Sequence, residues 1–276
     1  MKFLKTTFGM SAVFFLLAAF TASAADWTAG DSADSARNSS EKIALFNGKN
    51  LDGWTVFIAG HEPNDDPDGV FTVSDGAIHV SGQSWGGVTC EGDFSNYRLS
   101  LEFKWGEKTW GPRKDRARDS GVLIHAYGPD GGFGAWRKSV EANIIEGGVG
   151  DFWMVTGAED GVAATCDVVE RSGVKIFDPE NGKPVTITAN AQGCFGWLGR
   201  DPSWKDELGF CGANDLARPG EWTEMVVEAR DDVMTVYVNG KLANRVYQLG
   251  ITHGAIQFQS EGAEIFYRNI TLEPLQ

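Results

Sequence analysis

The stretch "YRLSLEFKW", residues 97–105, decides the fold class, because apolar and polar residues alternate along its whole length. Successive side chains of an extended strand point to opposite faces, so this alternation is typical of a half-buried strand. One face carries Leu99, Leu101, Phe103 and Trp105, and the other carries Arg98, Ser100, Glu102 and Lys104.

Similar short runs, separated by Gly, Asn and Asp, fill the chain on both sides of this stretch. They include "GVFTVSDGAIHVSG", "SGVLIHAY", "EWTEMVVEAR", "DDVMTVYVNGKLA" and "GAIQFQS". No segment sustains a helical period, and many short strands with turn signals are typical of β-sandwiches and jelly rolls. The sequence therefore predicts an all-β protein with one domain over residues 41–276.

The first forty residues have a different composition. Residues 1–24 are predicted to be a secretory signal peptide. They contain two lysines, then the apolar run "FGMSAVFFLLAAF", and then the small residues Ala22-Ser23-Ala24 of a cleavage site. The polar stretch 25–40 is interpreted as a flexible leader. We therefore expect a protein exported to the periplasm or the medium, without a membrane span.

The charge balance is strongly acidic, with a formal net charge of −14 at pH 7. Phosphate backbones repel such a chain, so nucleic acid is not an expected partner.

Four cysteines in an oxidising compartment are enough for two disulfides. Cys194 and Cys211 bracket one loop-like stretch and are the first-choice pair, and Cys90 with Cys166 would be the second. Free buried thiols are the alternative, and the sequence leaves it open.

Several stretches, in this order along the chain, resemble the 3-keto-disaccharide hydrolase domain family. They are "LFNGKNLDGWTVF", "FTVSDGAIHV", "FSNYRLSLEFKW", "DSGVLIH", "VEANIIE", "GEWTEMVVEA", "VNGK" and "GAIQFQSEGAEIFYRNI". The resemblance implies a concanavalin A-like jelly roll of two antiparallel sheets with a ligand groove. It also implies hydrolysis of glycosides already oxidised to a ketone at C3. Asp119, His125 and Glu146 stand where the family usually has Asn, Arg and Asp.

The chemistry implied by the resemblance needs few protein groups. A ketone at C3 acidifies the C2 proton, a base removes that proton, the aglycone leaves C1, and water then adds back. This requires a base, a group that polarises the C3 oxygen, and an acid for the leaving oxygen. Glu141 is the first candidate for base or acid, His125 is the alternative, and Lys104 is the candidate for polarising the carbonyl.

Polar and aromatic residues along the strands are candidates for binding the sugar. Glu141 and Asn143 share one face of the strand in "SVEANIIEGGVGDFW", whereas Glu146 lies near its end. The predicted substrate contacts are Glu102, Asn143, Glu146, Gln257, Gln259 and Trp153, with Trp85, Trp110 and Trp136 as further stacking platforms. A solvated sheet face for Glu102 and Lys104, and a structural role for His125, are the competing interpretations.

A metal site and a purely binding function are the remaining alternatives. "NDDPDGVFTVSD" places Asn64, Asp66, Asp68, Gly69 and Asp75 at calcium-loop spacing, which would add a divalent metal. Pro67 interrupts that loop, so a solvated acidic turn is favoured. A non-catalytic carbohydrate-binding module on the same fold is the main rival to the enzyme, and a structural or adhesion domain is the third reading.

Overall fold

The computed structural model describes residues 41–276, which form antiparallel strands joined by loops and three short 3-10 turns. The signal peptide and leader predicted over residues 1–40 lie outside the described residues. The strands are β1 (Ile43–Ala44), β2 (Trp54–Ile58), β3 (Phe71–Ser74), β4 (Ala77–Val80), β5 (Gly86–Phe94), β6 (Tyr97–Thr109), β7 (Asp119–Tyr127), β8 (Lys138–Ile145), β9 (Phe152–Val155), β10 (Ala164–Arg171), β11 (Val174–Phe177), β12 (Lys183–Ile187), β13 (Thr223–Arg230), β14 (Val233–Val238), β15 (Lys241–Val246), β16 (Gly254–Ser260) and β17 (Ala263–Pro274). The 3-10 turns are Gly111–Arg113, Ala158–Asp160 and Asn190–Gln192.

Two large sheets form a sandwich, which confirms the predicted jelly roll. The first has the order β15-β14-β13-β6-β17-β4-β3, with β1 also paired to β17, and the second has the order β2-β5-β16-β7-β8-β9. A small sheet of order β11-β10-β12 carries part of the chain between β9 and β13. The quoted stretch 97–105 lies in β6, at the centre of the first sheet, as its alternation predicts.

The core lies between the two large sheets. Leu99, Leu101 and Phe103 of β6 face it from one side, and Val122 and Phe258 face it from the other. A buried hydrogen bond of 2.7 Å between the hydroxyls of Ser120 and Tyr267 joins the two layers. Because one side of each strand fills this core, every polar residue at the alternate positions must point away from it.

This arrangement corrects the prediction for Glu102 and Lys104. Both lie on the outer face of the first sheet, where Glu102 accepts a hydrogen bond from Arg268 at 2.6 Å. The Lys104 ammonium lies 5.0 Å from the centre of the Trp222 ring. The whole core separates them from the second sheet, which carries Glu141, so neither can act beside it.

The predicted disulfide is absent. All four cysteines are free, with Cys90 and Cys166 buried, Cys194 half-buried and Cys211 exposed. Instead of a second sulfur, the thiol of Cys211 contacts the guanidinium of Arg218. The alternative of free thiols therefore describes this structure.

In the acidic run at residues 64–75, the side-chain oxygens of Asn64 and Asp66 are already used by the backbone. The two carboxylate oxygens of Asp66 accept hydrogen bonds from the amides of Val70 and Phe71, each at 2.8 Å. The side-chain oxygen of Asn64 accepts one from the Val56 amide. These oxygens hold the turn together, so the donor set does not fit a calcium site.

Membrane insertion by a helix has no support in residues 41–276. Every helix in that range is a single short turn, far below the length that crosses a bilayer.

Candidate functional site

A pocket of about 380 Å³ opens on the outer face of the second sheet, and polar side chains of three adjacent strands form its floor. Glu141 and Asn143 come from β8, Asp119 from β7 and Gln259 from β16. Their neighbours along each strand point into the core, so alternation directs these four residues outward together. All four are buried, because surrounding loops cover this part of the sheet.

Gly121 of β7 makes room for the pocket floor. A methyl group at Gly121 would lie 2.1 Å from Oε1 of Glu141 and 2.5 Å from Oε1 of Gln259. Since Gly121 has no side chain, the ends of Glu141 and Gln259 can both lie above it. Two side chains from strands on either side of β7 are therefore brought together.

Four oxygens on this floor have no hydrogen-bond partner in the protein. They are Oε1 of Glu141, Oδ1 of Asp119, Oδ1 of Asn143 and Oε1 of Gln259. Buried polar atoms are nearly always paired, so four unpaired acceptors in one pocket indicate a ligand that donates hydrogen bonds.

One guanidinium faces several carboxyl groups at the side of the pocket. Arg113 forms an ion pair with Asp119, and it lies 3.3 Å from a carboxylate oxygen of Asp206 and 3.7 Å from one of Glu261. Glu141 completes a set of four carboxyl groups in the pocket lining. Among the described lining residues Arg113 is the one cation, so carboxyl groups outnumber it four to one.

This excess of carboxyl groups shifts their protonation. Burial raises the pKa of Glu141 well above its ordinary value, and the charges of Glu261 and Asp119 raise it further. Burial likewise raises the pKa of Glu261, while the Arg113 guanidinium opposes this effect. The pKa of Asp119 rises to about 7, because its burial outweighs its pairing with Arg113. The pocket therefore holds carboxyl groups that can carry a proton near neutral pH and release it to, or take it from, a ligand.

An aromatic wall stands beside the carboxyl groups. Trp153 lies on β9 directly opposite Glu141 of β8, and Trp136 and Phe133 come from the loop between β7 and β8. The indole of Trp136 stacks on Trp85 with ring centres 5.3 Å apart. Aromatic faces beside polar groups suit the apolar side of a sugar ring.

The loop at residues 128–137, called the strap below, carries this wall across the outer face of the second sheet. Arg137 holds it through hydrogen bonds to both carboxylate oxygens of Glu91, at 2.9 and 2.7 Å, and to Asp130. The indole N–H of Trp136 donates to the carbonyl of Gly86 at 2.8 Å. The strap is therefore fixed to the sheet at several points.

Residues 41–273 match the family described as the 3-keto-alpha-glucoside-1,2-lyase-like domain. The chain belongs to this family. The family is described as lyase-like with respect to a 3-keto-glucoside, so a carbohydrate-active enzyme is the class that the match supports.

The chain is also similar to several solved structures at low sequence identity. A "putative glycosyl hydrolase" from Parabacteroides distasonis is 17% identical and has a TM-score of 0.50, over 89% of this chain and 97% of that one. A second protein of that description from the same organism is 18% identical with a TM-score of 0.48, over 85% of this chain and 100% of that one. A carbohydrate-binding module from Bacillus subtilis is 12% identical with a TM-score of 0.46, over 80% of this chain and 95% of that one. No curated protein sequence matches the chain.

The structure brings four of the predicted site residues together. Glu141, Asn143, Gln259 and Trp153 all line the pocket. Asp119, where the family usually has Asn, adds a carboxyl group beside them.

Two other predicted substrate contacts are occupied by the protein itself. The amide of Gln257 donates to Thr89 and Asp130 and accepts from the Arg137 backbone, which ties the strap to β16. Glu146 accepts hydrogen bonds from the Arg118 guanidinium at 2.6 Å and from the Gly209 amide at 2.8 Å. Both side chains hold loops in place and do not line the pocket.

His125 is also placed away from Glu141. The pairing of β7 shifts between Ile124 and Tyr127, and His125 has a φ of 52° at this bulge. The bulge turns the imidazole inward, where its edge packs against the Tyr97 ring and Nδ1 lies 3.2 Å from the carbonyl of Ile251. Burial lowers the pKa of His125 to about 4, so it is a neutral core residue and the prediction of a catalytic role was wrong in its placement.

Sequence reasoning missed three charged residues of the pocket: Arg113, Asp206 and Glu261. They come from the charged loop before β7, from the long segment before β13 and from the turn after β16. No periodicity marks such positions. The high density of charge in "GPRKDRARD" was the one available signal.

Proposed function

We propose that the protein cleaves 3-keto-glycosides by base-assisted elimination and hydration, and that it does so after export from the cytoplasm. The family match supports the substrate class, and the predicted signal peptide supports the location. The observation that carries the proposal is the pocket itself, where Glu141 has an unpaired oxygen and a raised pKa next to other carboxyl groups.

Glu141 is the base in this mechanism. In its ionised form a carboxylate with a raised pKa binds a proton strongly, so it can take the C2 proton that the neighbouring ketone acidifies. The electrons of the C–H bond form the enolate, and the bond from C1 to the aglycone oxygen breaks. Addition of water across the C1–C2 double bond gives the free keto sugar and returns the proton to C2.

Asp119 is the acid for the leaving oxygen. Its pKa of about 7 keeps a large share of it protonated at neutral pH, and it faces the same pocket. Arg113, rather than Lys104, takes the role of stabilising the negative charge that develops on the C3 oxygen in the enolate, because it is the cation among the described residues of the pocket lining. Its ion pair with Asp119 stabilises the carboxylate that remains once the proton has been given to the aglycone.

The test is turnover of 3-keto-trehalose and 3-keto-lactose beside the unoxidised disaccharides, with and without EDTA. We expect free monosaccharide from the keto forms alone, and in D₂O we expect deuterium at C2. Glu141→Gln should abolish both signals. Glu228→Gln serves as a control, because Glu228 pairs with Arg98 on the outer face of the other sheet.

A binding module is the second candidate, because an aromatic wall beside unpaired acceptors is also how a protein holds a sugar without reacting. Tight binding of the keto-disaccharides with no release of monosaccharide and no exchange at C2 would favour it. Turnover that survives Glu141→Gln would remove Glu141 from the chemistry.

A further inference from the structure

The groups that the pocket leaves unpaired are all of one kind. Among the described lining residues, its buried atoms without a partner are four oxygens, on Asp119, Glu141, Asn143 and Gln259. Asn143, the one amide on β8 in this set, likewise leaves its side-chain oxygen without a partner. A complementary ligand must therefore supply hydrogen-bond donors.

The charge of the pocket disfavours an anionic ligand. Arg113, its cation, is shared by Asp119, Asp206 and Glu261. Glu141 has no cation of its own, and the charges of Glu261 and Asp119 act on it unfavourably. A carboxylate, sulfate or phosphate on the ligand would meet these groups without a free cation to pair with, which is costly in a buried site.

An ammonium group satisfies both requirements. It has three N–H donors and no acceptor, and it carries the positive charge that four carboxyl groups surrounding one guanidinium lack. A neutral sugar hydroxyl can donate one hydrogen bond to these oxygens but cannot balance their charge.

We propose that the pocket selects its sugar by charge, and that it binds a glycoside with a protonated amino group more tightly than a neutral one and rejects an anionic one. This inference rests on the proposed function, because it assumes that the pocket is the sugar site. Glu261 is the specificity residue. It lies just after β16, and its contact with Arg113 is long, at 3.7 Å, so its carboxyl group remains available to a ligand.

Binding of an amine should also release protons. Carboxyl groups that burial keeps protonated in the empty pocket will ionise when a cation enters, whereas a neutral sugar leaves them protonated. This gives a readout that depends on the carboxyl groups and not on the fold alone.

The experiment measures binding of four ligands to the purified protein by calorimetry at pH 6.5 with EDTA. They are methyl glucoside, its 2-amino-2-deoxy and 3-amino-3-deoxy analogues, and methyl glucuronide. A charge-assisted hydrogen bond contributes enough for about tenfold in affinity, so at least one amino glycoside should bind about tenfold more tightly than methyl glucoside. Methyl glucuronide should bind most weakly. Repeating the titrations in buffers of different ionisation enthalpy should show proton release for the amino glycoside alone.

Glu261→Gln keeps the shape but removes a carboxyl group that can ionise when the amine binds, and it should reduce the preference for the amine severalfold. Glu228→Gln, the same change outside the pocket, should leave the preference intact. If Glu261→Gln does not fold, Asp206→Asn makes the same test, because Asp206 is more exposed and also faces Arg113.

Two results would overturn the inference in different ways. Equal binding of the amino and neutral glycosides to the unmodified protein refutes charge selection and leaves the sugar site in place. Failure of all four to bind, together with no turnover of the keto-disaccharides, refutes the sugar site and with it the proposed function.

Discussion

Replacement of Gly121 by alanine tests whether the position of Glu141 matters for the reaction. The added methyl would lie 2.1 Å from Oε1 of Glu141, and ordinary contact requires at least 3.4 Å. The carboxyl group must therefore retreat by more than 1 Å. The backbone of Gly121 is within an ordinary strand and is absent from the positions with positive φ, so alanine introduces no backbone strain.

A displacement of about 1 Å at a reacting group costs roughly 100-fold in rate, so kcat/KM for a 3-keto-disaccharide should fall by about that factor. Overpacking should lower the free energy of unfolding by only about 1–3 kcal/mol. The assay compares kcat/KM with guanidinium unfolding of the same preparation.

Gly106→Ala is the matched control for this prediction. Its methyl would lie 2.4 Å from Cγ of Glu264, another glutamate side chain, but on the first sheet and outside the pocket. We expect a comparable loss of stability and a much smaller loss of turnover. If Gly121→Ala and Gly106→Ala lose activity to the same extent, the reasoning that places Glu141 at the reacting carbon is refuted.

Three further predictions concern protonation, a buried ion pair and the thiols. Because the pKa of Glu141 is raised, the increase of kcat/KM with pH should lie well above the ordinary carboxyl range, and kcat/KM should decrease again as Asp119, the acid with a pKa of about 7, ionises. Stability should decrease from the ordinary carboxyl pKa upward, where the unfolded chain ionises while folded Glu141 keeps its proton, and should level off once Glu141 ionises in the folded state; a pH-independent unfolding curve above pH 5 would contradict this. Glu146→Gln removes the buried partner of the half-buried Arg118 and should cost about 3 kcal/mol in guanidinium unfolding, a loss below about 1 kcal/mol being incompatible with the observed contacts. Without reductant, a thiol reagent should label Cys211 first in the native protein and all four cysteines after unfolding, whereas two unreactive cysteines after unfolding would show that a disulfide forms.

The strands were predictable because alternation is a local property of the sequence. The stretch 97–105 forms β6, and Glu141 with Asn143 shares one face of β8, as the period of two requires. Alternation does not say to which sheet a polar face belongs. Glu102 and Lys104 were therefore grouped with Glu141, although they lie on the opposite surface of the sandwich.

The rest of the site depends on pairing and on loops. Gln259 lies near Glu141 because β16 and β8 both flank β7. This pairing joins strands that are far apart in the sequence, so no local pattern predicts it. His125 was misplaced because a single bulge reverses the alternation that the sequence implies. Arg113 and Glu261 are positioned by turns, whose geometry leaves no repeating pattern in the sequence.

The strap has a consequence for the shape of molecule that the protein can accommodate. On one side of the strap, Trp136 and Phe133 border the pocket that contains Glu141. On its other side, Pro129 and Asp130 border a separate cavity of about 970 Å³. A polymer lying straight along the sheet would have to cross a loop anchored by Arg137 and Trp136. If the pocket is the sugar site proposed above, we therefore expect it to bind the end of a sugar chain or a short glycoside and to exclude the interior of a long polysaccharide.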